Sequence, residues 1–160
     1  MIYSYKGKIY PSYLKNGNAI KYILPIAKYF LKGNILDIGG TKEWHYPKSK
    51  YVNISSKNDY HAMNIPNKMY DGIISSHTLE HLKDPYWALK YWTEHLKKNG
   101  VLFLYLPHVN QYYWAFDCPK HMHIFVPEII QGWLQKLGYK DIVKSSQDMY
   151  FSFTVVAWKK

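Results

Sequence analysis

Arginine is absent: all 21 basic side chains of this 160-residue chain are lysine. Without a guanidinium there is no bidentate grip on a phosphate or a guanine edge. Any attraction to nucleic acid therefore rests on point charges alone. Cysteine is almost absent as well. Cys118 stands by itself, which excludes an internal disulfide framework and fits a reducing compartment, so a cytoplasmic location is expected. Long apolar runs are missing. The longest, residues 101–107, is far too short to span a bilayer. Residues 1–15 mix Tyr, Lys and Ser without the apolar stretch of a secretory signal. No membrane partner is expected. Acidic residues are few, 11 against the 21 lysines, giving a net charge of +10. The lysines are scattered, which reads as a solvated surface before it reads as a nucleic-acid footprint.

What is present is apolar and aromatic. Hydrophobic residues make up 48% and aromatics 18%, enough to exclude disorder and build one core. The length predicts one domain: residues 1–18 as an N-terminal arm, irregular over 1–16, and residues 19–160 as a single domain. Residues 19–31 carry apolar side chains at helical spacing, with Pro25 predicting a kink or a second start. Residues 35–38 read as a buried strand, 51–55 as a second, and a shorter one is expected near 60–63. Residues 71–75 form the next strand, followed by a short helix over 77–82. Residues 86–98 read as an amphipathic helix that Asn99-Gly100 ends. Residues 101–106 are a strand buried on both faces. Residues 107–125 are a long, aromatic and His-rich loop, a length that is usually functional. A helix from Pro127 to Leu137 and a closing hairpin over 142–146 and 151–158 complete the pattern. Strands alternating with helices predict a mostly parallel sheet with right-handed crossovers.

Two segments carry most of the information. Residues 35–40 read Ile-Leu-Asp-Ile-Gly-Gly, a strand running into glycines where a ligand can approach the backbone. Residues 70–85 begin with Tyr70-Asp71, run through a strand and contain Leu79-Glu80-His81. With Ile65-Pro66 between them, and Lys97-Lys98-Asn99-Gly100 and His123-Ile124-Phe125 after them, this ordered set resembles the class I S-adenosylmethionine-dependent methyltransferases. The closest likeness is to the small group with Leu-Glu-His after the fourth strand. The resemblance covers residues 19–140. It implies an α/β, Rossmann-like fold with a mostly parallel central sheet ending in an antiparallel hairpin. It also implies S-adenosylmethionine as cofactor. Residues 41–50 are barely long enough for a crossover, so the first crossover helix is expected to be shortened to a turn or two.

The resemblance implies that Asp37 orients the glycine loop and meets the amino group of the cofactor's methionine moiety, with Gly39 and Gly40 beneath the cofactor. The family's further glycines would fall where Thr41 and Glu43 stand. Ser55 occupies the position of the ribose-binding acid, with Asp59 as a substitute if its loop folds back. His61 and the backbone N–H of Ala62 correspond to the adenine contacts. Ser76 and His77 correspond to the other wall. A nicotinamide site is excluded by the lack of G-x-G-x-x-G and of an acid on the second strand. Glu80 and His81 read as structural, pairing across the helix N-terminus and the neighbouring loop.

Methyl transfer from a sulfonium is an in-line displacement in which the protein mainly aligns the reactants. A hydroxyl acceptor benefits from a base, and histidine suits neutral pH. His108, His121 and His123 are therefore the candidate catalytic residues. Tyr112, Tyr113, Trp114 and Phe116 share their loop and suit a sugar or an aromatic acceptor. Cys118, His121 and His123 also have a zinc-like spacing, with His108 or Asp117 as a fourth ligand. Without a second cysteine pair the group reads as incidental, and no metal is expected. The base-amine signature Asn/Asp-Pro-Pro-aromatic and the Pro-Cys of cytosine enzymes are both missing after the fourth strand, where Ser-Ser-His-Thr stands. The Leu-Glu-His group acts mostly on small molecules, so the resemblance implies a small-molecule or glycan-precursor acceptor, methylated on O or N. An RNA-modifying enzyme drawing on the +10 charge, and a degenerate module without catalysis, are the alternatives. Oligomeric state is not legible.

Overall fold

The computed structural model describes residues 2–11, 18–54, 60–111 and 118–160. Its centre is a six-stranded sheet. In chain order the strands are β3 (Ile35–Ile38), β4 (Lys50–Val52), β5 (Tyr70–Ser76), β6 (Leu96–Pro107), β7 (Tyr139–Lys144) and β8 (Ser152–Lys159). Their spatial order is β4-β3-β5-β6-β8-β7. The first four are parallel, and β8 runs antiparallel to both β6 and β7. β3 lies between β4 and β5, so the chain leaves it in one direction and later returns on its other side. That switch point is where open α/β sheets leave a crevice beyond the strands' carboxyl ends.

The expected α/β fold with its antiparallel closing hairpin is what forms. The burial of Ile35–Ile38 is complete along its length, as a strand covered on both faces requires. One face of the sheet carries helix α1 (Ile20–Phe30), which buries Ile20, Ile23 and Ala27 against Ile74, Phe103 and Tyr105. Helices α2 (Pro85–Glu94) and α3 (Pro127–Lys136) cover the other face, with Leu89, Trp92, Ile130 and Leu134 in its core. Asp84 caps α2 by accepting the Trp87 N–H at 2.9 Å, and Pro85 occupies the first turn, where no donor is needed.

Several boundaries differ from the sequence reading. Residues 1–16 do not read as irregular where they are described. Ile2–Tyr5 (β1) and Lys8–Pro11 (β2) form an antiparallel hairpin. Lys6 and Gly7 turn it with φ of 46° and 72°, the pair of positive values a two-residue hairpin turn needs. Pro25 lies inside one continuous helix, without a second start. The shortening of the first crossover goes to completion: residues 39–49 hold only bends and turns. The strand expected at 60–63 is reduced to isolated bridges, Asn53 with His61 and His61 with Asn64. The helix after β5 is one 3₁₀ turn, Leu79–His81. α2 stops at Glu94, not at Asn99-Gly100. The Tyr70 N–H bonds the His95 carbonyl at 2.9 Å and draws the chain into the sheet, and residues 97–100 become a register shift within β6.

Candidate functional site

A cleft of about 190 Å³ opens at the carboxyl ends of β3 and β5, lined by Asn18, Asp37, Gly39, Gly40, Ser76 and His77 among others. Asp37 is its buried charge. One oxygen accepts the Tyr46 N–H at 2.6 Å, which ties the β3–β4 loop to the strand end. Burial pushes the Asp37 carboxyl up to about 7, against the lowering effect of that bond. The loop is further held by mutual backbone bonds between Thr41 and Trp44 at 2.9 and 3.2 Å. The Ser75 hydroxyl donates to the Ile38 carbonyl at 2.9 Å and locks the two strand ends together.

The glycines are needed first by the chain itself. At Gly39, φ is +101°, and a Cβ would lie 1.8 Å from the Thr78 hydroxyl. At Gly40 it would meet Tyr51 Cβ at 2.9 Å and both Asp37 and His45 at 3.0 Å. The close approach that the sequence suggested for a ligand is thus already made by neighbouring side chains. What remains open is polar. The buried Asn18 Oδ1 and Ser76 Oγ line the cleft with no hydrogen-bond partner among the described residues. An under-paired carboxylate, an orphaned acceptor and an orphaned hydroxyl suit a ligand that carries an ammonium and a carboxylate of its own. The donor set therefore fits the amino-acid end of S-adenosylmethionine. Asn18 was not legible in the sequence, because it precedes α1 and reaches the cleft only through the fold.

Behind His77 lies a second polar cluster. Glu80 is fully buried, and neither of its carboxylate oxygens has a hydrogen-bond partner among the described residues. Its Oε1 stands 3.8 Å from His77 Nδ1, from His81 Nε2 and from His121 Nε2. Those distances are too long for direct hydrogen bonds. Burial pushes the Glu80 carboxyl up to about 8. His77 is pushed down to about 3, by burial first and then by the neighbouring His121 and His81. Burial also lowers His81. The His77 ring packs on Tyr105 and its Nε2 meets the Ser152 hydroxyl at 3.0 Å. The pairing of the Glu80-His81 turn with the neighbouring loop is present: the Glu80 carbonyl accepts the Met122 N–H at 2.8 Å, and His81 Nδ1 meets the Lys120 carbonyl at 2.8 Å.

The other sequence-derived residues are spread around these two centres. His108 bonds backbone, its N–H to the Phe151 carbonyl and its Nδ1 to the Asn110 N–H. His123 Nε2 meets the Lys83 carbonyl at 3.2 Å. His121 alone of these three joins Glu80. His61 Nδ1 accepts the Met63 N–H at 3.2 Å. The Ala62 N–H donates to the Asn53 carbonyl at 2.8 Å, so a bond to a ligand ring would have to replace that one. Ala62 is also fully buried, with its carbonyl accepting the Trp92 indole N–H at 2.7 Å. Ser55, Asp59, Tyr112, Tyr113, Trp114, Phe116 and Asp117 lie outside the described residues.

A family model described as "Methyltransferase domain" matches residues 14–144. No curated protein matches the sequence. Among solved structures, the chain is similar to a Thermotoga maritima S-adenosylmethionine-dependent methyltransferase described as a possible histamine N-methyltransferase, with a TM-score of 0.74 and 20% identity over 92% of each chain. It is also similar to an Archaeoglobus fulgidus S-adenosylmethionine-dependent methyltransferase, with a TM-score of 0.65 and 20% identity over 88% of this chain and 93% of that one. A Haemonchus contortus phosphoethanolamine N-methyltransferase solved with S-adenosylmethionine matches over 92% of this chain and 55% of its own length, at 15% identity and a TM-score of 0.65. At these identities the likeness establishes the fold.

Proposed function

The chain belongs to the methyltransferase-domain family, whose methyl donor is S-adenosylmethionine, and we propose that it methylates an O or N nucleophile of a small molecule or glycan precursor. The observation that carries the reading is the cleft over Asp37, with Asn18 Oδ1 and Ser76 Oγ, unpartnered among the described residues, in its walls. Asp37 and Asn18 bind the donor's ammonium end, and Ser76 donates to its carboxylate. Gly39, Gly40 and His77 complete this wall, and Ser55, His61 and Ala62 stand for the ribose and adenine side. When bound, the cofactor supplies a methyl group already activated on sulfur, so the protein's part is alignment and exclusion of water.

The acceptor enters from the side of the loop after β6, which carries His108, His121 and His123. For a hydroxyl acceptor one imidazole takes the proton, and for an amine the neutral form only has to be presented. Burial keeps the His77 imidazole neutral at the cleft wall. The lack of arginine disfavours an RNA substrate. Two of the similar structures carry names of amine methyltransferases, which supports a nitrogen acceptor. The test is transfer from radiolabelled cofactor into a panel of small amines and alcohols, nucleotide sugars and total RNA. Label in the small-molecule fraction is expected; label confined to RNA overturns the reading.

A further inference from the structure

We propose that Glu80, His81 and His121 form a binding site for a divalent zinc-type cation. These residues come from two segments 40 positions apart. One ring nitrogen of each histidine and a Glu80 carboxylate oxygen lie within 4.8 Å of one another, and the Nε2 atoms of His81 and His121 are each 3.8 Å from Oε1. Zinc bonds of about 2.0–2.2 Å leave tetrahedral ligand atoms about 3.4 Å apart. Each nitrogen reaches coordination distance from the carboxylate by closing a few tenths of an ångström, and the two imidazoles, within 4.8 Å of each other, by closing at most about 1.4 Å.

The second observation is independent of that spacing. Glu80 has no solvent exposure and no hydrogen-bond partner at either oxygen among the described residues. A buried carboxylate left in that state is costly unless a cation completes it. The tautomer of His81 points the same way. Its Nδ1 faces the Lys120 carbonyl at 2.8 Å. A carbonyl only accepts, so Nδ1 carries the proton and the Nε2 lone pair faces Glu80. This is the outer-shell arrangement that orients metal-bound histidines. A proton on Glu80 does not bridge the 3.8 Å to the His81 Nε2 lone pair as a hydrogen bond, and a cation between the two groups does.

Two imidazoles and one carboxylate, with a fourth position left for water or an acceptor oxygen, match the donor set of open zinc sites. His77 Nδ1, 3.8 Å from the same Glu80 oxygen, stands beside that position. The bound ion fastens the 118–123 segment to the turn after β5 and takes His121 out of the pool of proton acceptors. This site departs from the expectation of no metal and from the spacing of Cys118, His121 and His123. Cys118 is not in the cluster, and His123 turns to the Lys83 carbonyl.

The test is titration of the chelator-treated full chain with Co²⁺, read by visible d–d absorption and reversed by Zn²⁺. One equivalent with tetrahedral-type intensity is expected. Glu80→Gln and His121→Asn should each weaken binding roughly 100-fold, while His95→Asn, at the end of α2, leaves it intact. Should those variants fail to fold, ¹⁵N resonances of the histidine rings decide on the native chain: zinc should shift His81 and His121 at Nε2 and leave His45 and His95 in place. Absence of stoichiometric Co²⁺ binding, undiminished binding in folded Glu80→Gln, or zinc shifts at other histidines only would overturn the assignment.

Discussion

Asp37 and Glu80 are both carboxylates withdrawn from water at the same edge of the sheet, yet they are built differently. Asp37 holds one backbone donor, the Tyr46 N–H, and opens onto a cleft. Glu80 has no donor from another residue among the described residues and faces three imidazole nitrogens at 3.8 Å. Burial raises both, to about 7 and about 8. A carboxylate with one donor and an open side is set for a ligand that arrives and leaves with each turnover. A carboxylate enclosed by imidazoles is set for an ion that stays. Polar groups of one chemical type thus acquire different tasks from what surrounds them. Asp71 marks the other extreme: exposed, bonded to the Asn34 N–H and Lys97 at 2.8 Å each, it is held below the usual carboxylate range by those partners.

The sharpest way to break the contrast is Asp37→Asn. It removes the charge proposed to face the ammonium and keeps the acceptor for the Tyr46 N–H. Affinity for S-adenosylhomocysteine should fall roughly 100-fold, the loss of a buried charge-assisted bond, with little change in melting temperature. Gly39→Ala attacks the scaffold instead. Its Cβ falls 1.8 Å from Thr78 at a positive φ, and denaturant unfolding should show a loss of about 2–4 kcal/mol.

A third, smaller effect follows from protonation. Below about 7 the Asp37 carboxyl is neutral and offers an ammonium no charge; above it the group is ionised. Affinity for S-adenosylhomocysteine should therefore rise about tenfold from about pH 5.5 to about pH 7.5, and Asp37→Asn should flatten that dependence. The stability of the free chain runs the other way. The unfolded carboxyl ionises near 3.8, so the Asp37 contribution is fully present below that value and lost as pH rises through about 7. The smallest effect belongs to the exposed pair. Lys97→Ala, which removes the surface bridge to Asp71, should cost less than about 1 kcal/mol in the same unfolding measurement.

The parts legible in the sequence were those fixed by local pattern. The apolar run of β3, the helical spacing of α1 and the Asp84-Pro85 start of α2 carry their structure within a few residues. Asp37, Gly39, Gly40, Ser76 and His77 line the cleft because they sit at strand ends, and strand ends face the crevice. The misses came from contacts distant in sequence. Asn99-Gly100 has the chemistry of a helix end, but the bond from Tyr70 to His95 ends α2 earlier. Lys6-Gly7 makes a hairpin turn that an apparently irregular arm concealed. The partnership of Glu80 with His121 depends on the loop after β6 folding back over the turn after β5, and no spacing rule connects the two. Asn18 likewise gains its place only when α1 docks against the sheet.

The most direct measurement is a calorimetric titration of the intact chain with S-adenosylhomocysteine, with Asp37→Asn alongside. The account predicts one site per chain, binding in the micromolar range (about −8 kcal/mol), and a large loss of affinity in the variant. Absence of heat at millimolar ligand, or equal affinity in both proteins, would contradict it.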